Sequence, residues 1–198
     1  MPRKKGHFAP LFVPVTQLVE YQTFNLRVAG SSPAWHIIQR RINMKIMTSY
    51  FYQIRFFKPY MIPLSTAKWD PKWFHRNQGQ DYQFKDKNGV WNGLRAEPFA
   101  PGPLCEGLCS GPKGCASTAN DCMFLKTYKM QLEHLDFQNI LSRIESIGNA
   151  VKEREGFQEE PVVILIVHEA FGNHCSEREP IQEWFAENGH PIEEFQAG

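Results

Sequence analysis

Apolar positions along the chain follow several distinct patterns. Leu132, Leu135, Ile140, Ile144, Ile147 and Val151 recur every three to five residues, and Phe137 and Leu141 widen the stripe. That spacing predicts helix. Asp136 inside the stripe is an N-cap residue type, so the pattern reads as two helices or one bent helix, ended by Gly156. Val162–Val167 is an unbroken aliphatic run rich in β-branched residues. It predicts a strand buried on both faces, the kind that parallel sheets covered by helices contain. The aromatic-rich stretch Ser49–Phe57 reads as a strand and Met61–Ser65 as a second extended piece. After a loop over 169–176, Ile181, Trp184 and Phe185 mark a last helix stopping at Gly189, and His190–Phe195 fits a closing edge strand. Residues 66–104 show no period; they read as an ordered loop pinned by Trp69, Trp73 and Trp91, with a short helix near Pro71–His75. Helix, buried strand, loop and helix in succession predict an α/β domain.

With 198 residues, 42% of them hydrophobic and 22% charged, the chain has the composition of one folded domain. Pro10 and Pro14 interrupt the apolar Leu11-Phe12-Val13, and no small-residue cleavage pattern follows. We therefore expect a cytoplasmic protein that is neither exported nor embedded in a membrane. Charge is uneven. Residues 1–46 carry seven Lys/Arg against the single acid Glu20, whereas the remainder is net −5. A basic arm for nucleic acid is one reading of that segment. The other is that it is not protein-coding. Ala29–Ala34 back-translates to GCG GGT TCG AGT CCC GCC, a self-complementary stem closing a T-arm-like loop. Gln22–Leu26 and Gln17–Glu20 similarly yield an anticodon arm and a D-arm. We expect residues 1–46 to be a translated transfer-RNA gene, disordered or loosely docked, ahead of a start at Met47 or Met44, with one α/β domain over 47–198.

Two groups of residues could carry chemistry. His168 and Glu169 follow the buried strand, and Cys175 and Arg178 stand where the next helix begins, with Asn173 and His174 between. In open parallel sheets ligands bind beyond the carboxyl ends of strands. A helix N-terminus and a guanidinium there can hold a phosphate or carboxylate, and a cysteine beside them is nucleophilic. The catalytic candidates are thus Cys175, Arg178, His168 and Glu169, acting on a small anionic, nucleotide-like or phosphorylated ligand. Cys175 and Arg178 are too close for a cysteine-phosphatase loop, and Ser176 with Glu179 also fits a helix capping box. The second group is Cys105, Cys109, Cys115 and Cys122 in a Gly/Pro-rich stretch. Four thiolates at this spacing can wrap a structural zinc, or an iron–sulfur cluster; the alternative to the enzyme reading is a non-catalytic binding module carrying that metal loop. Trp69, Trp73, Phe74 and Trp91 among Lys68, Lys72 and Arg76 admit nucleic acid only as a local patch.

The segment VVILIVHEAFGNHCSEREPIQEWFAENG, with Met47–Phe51, Pro63-Leu64-Ser65 and Pro71-Lys72-Trp73 before it, resembles the domain-of-unknown-function family numbered 488 over about 47–195. The resemblance implies a Rossmann-like three-layer sandwich with a mostly parallel sheet and, here, a cysteine-bearing loop insertion. It implies no activity. In Cys175-Ser176-Glu177-Arg178 the histidine that follows the family's cysteine is absent, so no role transfers for it.

Overall fold

The computed structural model describes residues 44–76, 91–109, 118–173 and 175–197. Among them, six strands form one parallel sheet. They are β1 (Lys45–Tyr50), β2 (Met61–Ser65), β3 (Phe74–Arg76), β4 (Trp91–Arg95), β5 (Val162–Val167) and β6 (Glu193–Glu194), in the order β3-β4-β2-β5-β1-β6. Three α-helices accompany them: α1 (Met123–Glu133), α2 (Phe137–Glu155) and α3 (Arg178–Glu187). The chain is an α/β protein with a parallel sheet.

β5 lies inside the sheet, paired with β1 from Lys45↔Val162 to Tyr50↔Val167 and with β2 from Met61↔Val162 to Ser65↔Ile166. Side chains alternate across a strand, so its unbroken aliphatic run feeds two cores. Val163, Leu165 and Val167 meet Tyr128, Leu132, Ile144, Ile181 and Phe185 of the helices. Ile164 and Ile166 face the other way, onto Phe51, Ile54, Phe57 and Phe74. The three layers are therefore unequal: all three described α-helices cover one face, and a 3₁₀ turn over Phe51–Phe56 covers the other.

That turn corrects the strand expected over Ser49–Phe57. The strand is Lys45–Tyr50, and the aromatic run coils. Phe51, Ile54 and Phe57 are buried at a spacing of three, the period of a 3₁₀ helix, whereas a strand would repeat every two. The helix expected near Pro71–His75 is likewise absent; a turn leads into β3 there. Gly93 on β4 permits this, because a Cβ at that position would lie inside the Phe74 ring. The helical stripe resolves into two helices, with Asp136 Oδ1 accepting from the backbone N–H of Asn139 at 3.0 Å. α2 ends at Gly156, whose φ of 70° belongs to the left-handed region that glycine enters freely. The edge strand expected over His190–Phe195 is the two-residue β6, pinned by Phe195 N–H donating to Thr48 O at 2.8 Å.

The boundary at residue 46 also moves. Residues 1–43 lie outside the described residues, but Lys45 and Ile46 pair within β1, Ile46 is buried, and Met44 packs against the helical core beside Gly148. A chain begun at Met44 keeps Met44, Lys45 and Ile46 in place. One begun at Met47 loses the buried Ile46 side chain and the first rungs of β1, which should cost about 2–3 kcal/mol. Urea midpoints of the two chains compare them directly.

Candidate active site

β2 and β5 end side by side, and their continuations build one groove. Thr66 is tied to the end of β5: its N–H and Oγ1 both donate to Ile166 O, at 3.0 and 2.9 Å. Ala96 N–H donates to Ser65 O at 2.8 Å and carries the chain leaving β4 to the same edge. Ser65 Oγ donates to Asp70, and the imidazole Nε2 of His168 bonds Trp69 O. A carbonyl only accepts, so that bond places a proton on Nε2; in the neutral ring the lone pair is on Nδ1.

The opposite wall comes from the stretch before α1. Gln131 on α1 accepts from Gly102 N–H at 2.8 Å and donates to Ala100 O at 2.8 Å. Tyr128 Oη donates to Phe99 O at 2.6 Å. These bonds seat the Pro103–Cys105 turn against the sheet edge. Between the walls is a cavity of about 310 Å³, whose lining includes Lys68, Trp69, Cys105, Glu106, His168 and Glu177. Lys68 is ion-paired with Glu106, and both are well exposed. Trp69 is 71% exposed despite its size. Its indole stands on the groove wall with the Lys68 ammonium 5.9 Å from the ring centroid. This corrects the expectation that the tryptophans pin the loop. Trp73, 44% exposed, does pack edge-on against Phe51, but Trp69 presents its ring to solvent.

Glu177 is the chemically unusual member. Burial, and then the neighbouring Glu169 carboxylate, push its carboxyl up to about 8. Burial also raises the Cys105 thiol, against the pull of the Gly102 backbone, so at neutral pH it is an unreactive thiol. Tyr128, fully buried behind these groups, is raised well above its ordinary value, first by burial and then by Glu177 and Cys105.

Of the four catalytic candidates, only His168 lines the groove; Glu169 reaches it through Glu177. Cys175 is disulfide-bonded, and a sulfur in a disulfide is not a nucleophilic thiolate, so the nucleophile reading is withdrawn. Arg178 is buried rather than poised for an anion. Its Nε pairs with Glu194 Oε1 at 2.9 Å, and Nη2 donates to Glu169 O, tying α3 to the edge strand and to the loop after β5. Ser176 Oγ accepts from Arg178 N–H at 3.3 Å, but the N-cap of α3 is Glu177, with no side-chain capping bond, so the capping box with Glu179 is not formed. His174 and Cys115 lie outside the described residues. Cys105, Cys109 and Cys122 are free cysteines, and no three His, Cys, Asp or Glu among the described residues stand close enough to hold a metal. The four-cysteine metal set therefore gains no support from the three described members.

Nothing local in the sequence distinguishes Glu177, the residue just before α3, from the acids within α3. Only the eight-residue return from Glu169 brings the two carboxyls together. The chain matches no protein-family model, no curated protein and no solved structure. No helix among the described residues is long and apolar enough to cross a membrane.

Proposed function

We propose that the groove binds a small planar ligand carrying an anionic group, of the nucleotide or phosphorylated-heterocycle class. The observation that carries this reading is the exposed Trp69 ring on the groove wall beside the Lys68 ammonium. A planar ring stacks on the indole, and each such stack contributes about 1–3 kcal/mol. Lys68 turns from Glu106 to the ligand's phosphate or carboxylate. Its present ion pair is well exposed, so breaking it costs only about 0–1 kcal/mol. The ligand thus occupies the strand ends expected from the sequence, but on Lys68 and Trp69 rather than on Cys175 and Arg178.

Calorimetric titration with the nucleoside 5′-monophosphates tests this reading. Saturable binding is expected, weakened about tenfold or more by Trp69→Ala and less by Lys68→Ala. Absence of binding by all of them, or unchanged affinity in Trp69→Ala, would overturn it.

A further inference from the structure

We infer that the groove is one end of a single-stranded nucleic-acid interface, which continues from Trp69 past Trp73 onto the outer side of the 3₁₀ turn over Phe51–Phe56. This rests on the ligand reading above and extends it from one nucleotide to a strand: the nucleotide in the groove is one unit of a chain whose neighbours lie on the adjoining surface. Two independent observations carry it, the placement of exposed aromatic rings and the local charge.

Large aromatic side chains contribute most when buried, yet Tyr52 and Phe56 join Trp69 and Trp73 at the surface, 53% and 48% exposed. The four rings share one buried anchor. The Phe51 ring meets Trp73 edge-on at 6.0 Å and His168 at 5.0 Å, and His168 in turn bonds Trp69 O. Tyr52 and Phe56 stand on the Phe51–Phe56 turn itself, off the buried spacing of Phe51, Ile54 and Phe57, so the sheet does not cover them. Arg55 sits with them, its Cζ 3.2 Å from the Tyr52 ring centroid and 6.0 Å from that of Phe56. A guanidinium held on a ring keeps N–H donors for phosphate.

Charge on this surface runs against that of the rest of the domain. Residues 50–74 carry Arg55, Lys58, Lys68 and Lys72 against the single acid Asp70, which accepts from Ser65 Oγ, whereas residues 47–198 together are net −5. Arg55, Lys58 and Lys72 are exposed. The acids of the groove, Glu106 and Glu177, come from other segments, the turn before α1 and the residue before α3. Rings and cations together complement a single strand, which offers an unstacked base and a phosphate at every unit. A duplex keeps its bases stacked inside, and an acidic peptide would use the cations without the rings.

Fluorescence anisotropy of the full chain with a labelled oligothymidylate of about 12 nucleotides tests the inference, with a duplex of the same length and poly-glutamate as comparisons. The strand should bind about tenfold or more tighter than the best nucleoside 5′-monophosphate. Its log K should fall against log salt with a slope of about −2 to −3, as three or four neutralised phosphates require. Phe56→Ala, which leaves the buried spacing untouched, should weaken binding about fivefold or more and keep that slope. Lys72→Glu should weaken binding and flatten the slope, while Lys126→Glu, the same change at an exposed position of α1, should leave affinity within about twofold. A strand that binds no tighter than a monophosphate would overturn this inference and leave the ligand reading intact. So would duplex or poly-glutamate binding as tightly as the strand, or Lys126→Glu weakening it as much as Lys72→Glu. Failure of every monophosphate to bind would strike the ligand reading, and this inference with it.

Discussion

Replacing Arg178 by alanine is expected to lower stability by about 3–5 kcal/mol, the largest single loss in the molecule outside its aliphatic core. The guanidinium is 5% exposed and its partner Glu194 11% exposed, so each charge depends on the other rather than on water. Glu194 is already pushed up by burial, with only Arg178 opposing that rise. Alanine would leave the carboxyl buried without its cation and would remove the donor from Glu169 O, freeing β6 and the loop after β5 together. Changing both partners to apolar residues, Arg178→Met with Glu194→Leu, should recover most of the loss, because no unpaired charge then remains buried. Urea unfolding of the parent, the single and the double variants makes the comparison. A loss under 1 kcal/mol in Arg178→Ala would mean that this pair does not hold the edge strand.

The second large effect is in the pH dependence of stability. Glu177 ionises near 8 in the folded chain and near 4.5 when unfolded. Between those values the folded state holds a proton that the unfolded state has lost, so stability must fall as pH rises across the window. One proton corresponds to about 1.4 kcal/mol per pH unit, giving a few kcal/mol in total by pH 8. Glu177→Gln cannot ionise. Relative to the parent chain it should gain little near pH 4 and several degrees of Tm at pH 8.5. Parallel Tm–pH curves for the two proteins would show that burial of Glu177 does not strain the fold. Glu177→Gln should thus stabilise the protein at alkaline pH.

The elements most legible in the sequence were those whose signal is complete within one strand or one helix. Val162–Val167 announces a two-sided strand because six consecutive aliphatic side chains can be buried only if both faces are covered. Asp136 and Gly156 bracket α2 because capping is a bond between near neighbours. Over Ser49–Phe57 aromatic content points to a strand and the spacing of three at Phe51, Ile54 and Phe57 to a 3₁₀ turn, and the spacing governs because it sets which side chains reach the core. The short strand β3 could not be read that way. It is three residues long, and it exists because β4 offers a paired edge and Gly93 leaves room for Phe74.

At the site, position was legible and roles were not. The order of strand, loop and helix placed His168 and Glu169 beyond a parallel strand, where the groove lies. Whether Arg178 faces a ligand or Glu194 depends on a contact across 16 residues, and whether Trp69 is covered depends on the path of its loop. The rise of Glu177 depends on its burial and on Glu169 nearby, and both exist only once β5 and α3 are set against each other. Patterns of burial repeat with the period of the local backbone, so the sequence by itself determined β5, α2, α3 and the end of the sheet that is open. Ionisation and exposure depend on which distant group comes within a few ångströms, and only the tertiary structure decided those.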